Sequence, residues 1–225
     1  MTSDVTQIPK PDAEGFKQGR KLYLVPIFSL PREMPVEGQK VVHRYWSEVR
    51  DQIHNLERRL GKVTHIYHEA VFAEGDHGLD AITDINPKGA SLARELCRAE
   101  ATLHATEERE LMEEYTDWQM VLSIGVRSQK VMSTAMEAYR EAIQKRYDRI
   151  GAKIEVTLQG SQSGVLFIRD DHRVQFAEDI QVFYISPPGL DALRKWLDQQ
   201  YRTAMSHQPQ AEVDAPEQSA DSDVS

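Results

Sequence analysis

An α/β fold with a mainly parallel sheet flanked by helices is what this sequence predicts, and three observations predict it. Leu22, Tyr23, Leu24, Val25, Ile27 and Phe28 form an almost continuous apolar run, the pattern of a strand covered on both faces. A helix-length amphipathic stretch then precedes a second run rich in β-branched and aromatic residues, so the two strands are joined by a parallel crossover. Two further short apolar runs, Val165 to Ile168 and Ile180 to Ile185, stand before a proline-opened helix, which completes a β-α-β, helices, β-β-α order.

Each element has its own justification. In the first strand Pro26 removes one ladder donor, so the strand is expected to end early, bulge, or pass where that position needs no partner. From Pro35 to Leu60, Val42, Trp46, Val49, Ile53, Leu56 and Leu60 recur at intervals of three and four, an amphipathic helix stopped by Gly61. Val63 to Phe72 is read as the second strand. Residues 87 to about 159 are rich in Ala, Glu, Leu, Arg, Met and Gln and lack proline after Pro87, which predicts two long helices. Ser123 and Gly125 mark the expected break, with Met120 to Ile124 as an alternative short strand. Both helices need an apolar partner, so this insertion between the second and third main strands is expected to be a long helical hairpin packed on the sheet. Gly160 to Gly164 is a turn, and Leu190, Leu193, Trp196 and Leu197 give the last helix its inward face. Residues 21–205 are expected to form one domain, after a flexible arm over 1–20 and before a disordered acidic tail over 206–225.

Charge and cysteine content narrow the function classes. The chain has 225 residues and a formal net charge of −9, which argues against a partner that is nucleic acid or an anionic membrane. From Ser206 onward Glu212, Asp214, Glu217, Asp221 and Asp223 occur with no Lys or Arg, so the rest of the chain carries −4. Cys97 is the single cysteine. It cannot close an internal disulfide, and no charged-then-apolar leader opens the sequence, so a reducing cytoplasm is the expected location. No apolar run reaches the roughly 18 to 20 residues of a membrane span. Walker, dinucleotide-binding, Gly-x-Ser-x-Gly and His-Glu-x-x-His motifs are all absent from the sequence, which removes the commonest enzyme classes.

Side chains that bind in a parallel sheet gather beyond the carboxyl ends of the strands. That rule selects Ser29 after the first strand, Glu69, Glu74, Asp76 and His77 late in or after the second, and Asp170, Asp171 and His172 after the third. Carboxylates and imidazoles converging from separate loops suit a divalent metal or acid–base chemistry. Strand alternation puts His65 and Glu69 on one face and His68 on the other, so His65 and His68 do not form a metal clamp. Glu69, in an apolar strand, requires a donor, a positive charge or a proton; an arginine from the hairpin is the expected partner. The run Glu107 to Glu110 with Glu113 and Glu114 is read as a solvated helix face, and Cys97 as a core thiol.

Four segments, in order, resemble the TraB/Tiki-type family within the erythromycin-esterase-like and ChaN-like group. Leu22 to Ser29 looks like the family's first strand, with Pro26 and Ser29 where its Gly-x-x-His has glycine and histidine. Thr64 to Glu69 is similar to its glutamate strand, Gln144 to Tyr147 with Ile150 and Ile154 to its arginine helix, and Val165 to His172 to its second Gly-x-x-His, with Arg169 replacing the glycine. The resemblance implies a compact α/β fold in which Glu69, Arg146 and His172 share a crevice that, in some members, supports metal-dependent peptide hydrolysis. Loss of the first histidine and of both glycines leaves fewer ligands than a catalytic zinc site keeps. Two function classes follow: a non-catalytic binding or scaffold module with a degenerate site, its partner a protein or a small molecule, or a metal-dependent hydrolase with an altered ligand set. The hairpin leaves homo-oligomerisation open.

Overall fold

The arrangement of strands follows from the alternation of their side chains. In a computed structural model describing residues 18–31 and 33–206, five parallel strands form one sheet in the order β3-β2-β4-β1-β5. They are β1 (Arg20–Ile27), β2 (Val63–His68), β3 (Thr102–His104), β4 (Ser163–Arg169) and β5 (Ile180–Tyr184). Tyr23 and Val25 of β1, with Val165 and Phe167 of β4, face one helical layer; Leu22, Leu24, Leu166 and Ile168 face the other. Both faces are therefore covered, as the continuous apolar runs require.

The first layer holds α1 (Val36–Leu60), α2 (Gly75–Ile85), α3 (Pro87–Arg98) and α6 (Pro188–Ser206), which contribute Val42, Trp46, Ile53, Ile82, Leu92, Leu96, Leu190 and Leu193. The second layer is built from α5 (Gln129–Thr157), whose Tyr147, Ile150 and Ile154 pack on β4 and β1. The remaining helix, α4 (Arg109–Ser123), packs on α5. The expected arm and acidic tail fall almost wholly on residues 1–17 and 207–225, outside the described residues.

Pro26 lies inside β1, opposite Ile168 of β4. The Leu24 carbonyl accepts from Ile185 N–H on the β5 side at 2.8 Å, and Pro26, two residues on, has the same facing. Beyond Tyr184 β5 has ended, so the missing proline N–H costs no ladder bond. The Pro26 carbonyl instead accepts from the Tyr45 hydroxyl at 2.6 Å.

Three expectations need correction. Residues 87–159 contain three helices and a strand, because Glu100 turns the chain with a φ of 75° and β3 then joins the sheet edge beside β2. The helical hairpin is accordingly α4 and α5 alone, with its break after Ser123, and Met120 to Ser123 is helical. The second strand stops at His68, and Gly75 to Ile85, given no element by the sequence pattern, is α2.

Close approach of α1 to α6 gives a direct test. A Cβ on Gly38 would come within 2.3 Å of the Trp196 ring, so Gly38→Ala is expected to cost about 1 to 3 kcal/mol through overpacking. Thermal unfolding checks it, and an unchanged midpoint would mean that the two helices are less tightly apposed.

Candidate functional site

A buried cluster of charge sits at the carboxyl end of the sheet. Glu69 follows β2, Glu107 lies between β3 and α4, Arg169 ends β4, and Arg146 comes from the middle of α5. Local chain geometry places each one. Ala70 adopts a left-handed φ of 66°, an uncommon conformation for a residue with a Cβ, and turns the backbone sharply after Glu69. The loop that follows is clasped to the β3 end: Thr106 N–H and Glu107 N–H both donate to the Val71 carbonyl at 3.1 Å. Thr106 Oγ1 donates to the His68 carbonyl. Ala70 N–H donates to Glu107 Oε1 at 3.3 Å.

Two ion pairs organise the cluster. Arg146 Nε donates to Glu107 Oε2 at 3.2 Å and Nη2 to Oε1, a bidentate pair of fixed orientation; both side chains are buried, 2% and 0% exposed. Arg169 Nε stands 3.2 Å from Glu69 Oε1. Tyr115 links the pairs: the Arg146 guanidinium lies 4.4 Å from its ring centroid, and Arg169 Nη1 donates to its hydroxyl at 3.3 Å. Burial pushes the Glu69 carboxyl above the ordinary range, against the opposing pull of Arg169 and Arg146. Glu69 Oε2, Arg146 Nη1 and Arg169 Nη2 are buried with no hydrogen-bond partner among the described residues.

Beside the cluster lies a cavity of about 430 Å³ lined by Tyr139, Arg140, Ile143, Gln144, Tyr147, Asp171 and Arg173. Tyr139 stacks on Tyr115 with centroids 5.4 Å apart, and Tyr147 feels the charges of Arg169, Asp171, Glu69 and Arg146. These two tyrosines connect the cavity to the buried pairs. Tyr139 is pushed up to about 12, first by burial and then by Tyr115, so its phenol is a neutral hydrogen-bonding group at neutral pH.

The residues selected from the sequence are thus only partly together. Glu69 and Arg146 share the cluster, but they do not pair with each other, because Arg169 is nearer to Glu69 and Glu107 occupies Arg146. Glu107 is buried, where the charge run implied solvent. Asp171 borders the cavity, whereas His172 turns to Phe176 and its Nδ1 accepts from Val174 N–H at 3.3 Å. Asp170 points to α6, where Arg194 donates to it at 2.6 Å. Glu74 pairs with Lys153 at 3.2 Å, and Asp76 and His77 are exposed on the first turn of α2. Ser29 lines a different cavity, of about 270 Å³, with Leu30, Pro31, Leu197, Gln200 and Tyr201. His65 and His104 bond to one another at 2.8 Å, apart from Glu69. Sequence reasoning missed Glu107 and the role of Arg169. The alternating stretch Ala101 to Thr106 was the available signal, since a strand there puts Glu107 at a strand end.

The metal that the family resemblance implies does not fit these residues. Among the described residues no group of three or more His, Cys, Asp or Glu side chains is placed to hold a metal ion, and both buried carboxylates of the cluster face guanidinium groups. Comparison with known proteins adds no relative: no family model, curated protein or solved structure matches the chain.

Proposed function

We propose that this chain is a cytoplasmic, TraB-like α/β binding module whose crevice holds a small polar ligand without hydrolysing it. The observation that carries the reading is the trio of buried, unpartnered atoms in one cluster, the acceptor Glu69 Oε2 and the donors Arg146 Nη1 and Arg169 Nη2. Each such atom costs about 1 to 3 kcal/mol when nothing satisfies it, so a ligand with both a donor and an acceptor gains wherever it reaches one of them. None of the three residues lines the cavity itself, so this access requires the intervening Tyr139 and Tyr147 side chains to move. Carboxamides and small amino acids have that character. The adjoining tyrosines offer flat apolar faces with hydroxyl tips. The order of the four family-like segments, with Glu69 and Arg146 in one cluster, supports the TraB-like part of the reading; the lone cysteine supports the cytoplasmic part.

Thermal unfolding of the full chain against a panel of small carboxylates, carboxamides and amino acids tests it. A ligand at about 100 times its Kd is expected to raise the midpoint by roughly 5 to 10 °C. Arg169→Gln is expected to lower the unliganded midpoint, since it strips Glu69 of its cation, and to abolish the ligand-induced rise measured from that lowered midpoint. A stabilising ligand indifferent to Arg169→Gln would place binding elsewhere.

A further inference from the structure

We propose that the tip of the α4–α5 hairpin is a docking surface for an anionic lipid membrane. This proposal is independent of the ligand crevice, which lies at the hairpin's base.

Three observations carry it. First, the hairpin stands away from the sheet: between Gln129 and Glu141 the only buried residue of α5 is Ala135, and α4 buries only Tyr115. Second, its tip exposes large apolar side chains: Met120 is 60% exposed, Ile124 75% and Val131 48%. Single exposed apolar residues need no explanation, but a group on one tip does. Third, the local charge is opposite to that of the whole chain. From Trp118 to Met136 the sequence contains Arg127 and Lys130, both exposed, and no acidic residue, although the chain carries −9.

Distance resolves that contrast. Asp117 is seven residues before Ile124 and Glu137 eight after Gln129, so at 1.5 Å per residue the nearest acids on the two helices lie about 10 to 12 Å down the arm. That exceeds the Debye length of about 8 Å at physiological ionic strength. The membrane therefore meets a cationic, apolar tip while the acidic body is screened. The cytoplasmic leaflet is anionic, and a Lys or Arg near its surface contributes about a factor of five in binding.

The same features disfavour a second copy of the chain. Isologous contact would bring Arg127 and Lys130 of one tip against those of the other, and a tip of three exposed apolar side chains falls short of the roughly 800 Å² per partner of a stable interface. No helix among the described residues is long and apolar enough to cross a membrane, so the contact is with the bilayer surface.

Sedimentation of the full chain with vesicles of 70% phosphatidylcholine and 30% phosphatidylglycerol tests the proposal. Partition is expected to fall about 25-fold in Arg127→Gln/Lys130→Gln, and about as much on vesicles of phosphatidylcholine alone. Met120→Ser/Ile124→Ser should lose about tenfold through its apolar contribution, and Trp118 emission should shift to the blue only with the anionic vesicles. All substituted residues are exposed, and circular dichroism checks that the variants fold. Equal partition on neutral and anionic vesicles, or no partition at all, overturns the proposal. Tip variants that change the mass measured by light scattering without changing vesicle binding overturn it in favour of a protein contact.

Discussion

Arg146→Ala is expected to lower the free energy of unfolding by about 3 to 5 kcal/mol, the range for stripping one partner from a buried ion pair. The loss arises at Glu107, whose side chain is fully buried and takes both of its guanidinium bonds from Arg146. Without the arginine that carboxylate must stay charged and unpaired or take up a proton. Arg146→Met/Glu107→Gln should recover part of the loss, because neither replacement leaves an unpaired charge. Denaturant unfolding of the two single variants and the double then gives a coupling of more than about 1 kcal/mol. The corresponding cycle between Arg146 and Glu69 is expected to be weaker, since Arg169 holds Glu69. Additive effects for Arg146 and Glu107 would show that the bidentate pair does not form.

Acid is expected to unfold the protein in a window set by buried imidazoles. His68 is 1% exposed; its Nδ1 donates to the Glu69 carbonyl, and Asn86 Nδ2 stands 3.4 Å from Nε2. Burial holds this imidazole at about 4, below the ordinary value of about 6.5. The unfolded chain therefore binds a proton that the folded chain refuses between those values, and stability falls as pH falls from about 6.5 to about 4. His68 alone contributes about 3 kcal/mol across that window. His104 is also held at about 4, by burial and then by His65, and adds to the same slope. His68→Gln should flatten the fall in part when unfolding free energy is measured at steps of pH. An unchanged slope would mean that His68 is solvated.

Most of the scaffold was legible because its signals are local. The heptad-like spacing from Val42 to Leu60, with Gly61 after it, marks α1 whatever surrounds it. The apolar runs of β1 and β4 similarly mark strands covered on both faces. The edge strand β3 was missed: the alternation from Ala101 to Thr106 is short, lies between two helix-forming stretches, and becomes a strand through its pairing with β2. That omission hid Glu107, which reads as part of a charged helix face until Thr106 and Glu107 are tied to Val71. Arg169 was read as a lost glycine, since no local signal shows that a strand-end arginine turns to a glutamate on the neighbouring strand. Glu69 needed a donor, a positive charge or a proton in its apolar surroundings; that Arg169 stands beside it, in place of an arginine from the hairpin, is decided by strand order, with β4 beside β2.

The cluster's chemistry follows from that pairing. Carboxylates held by guanidinium groups are poor metal ligands, while the atoms they leave unpartnered among the described residues keep unused hydrogen-bonding capacity. Metal content of the purified full chain, measured together with hydrolysis of a mixed peptide and ester panel, tests this account most directly. The expected result is substoichiometric metal and no turnover, with or without added zinc or manganese. One bound metal per chain with hydrolysis that Glu69→Gln abolishes would contradict it, and would make the crevice a hydrolase site with an altered ligand set.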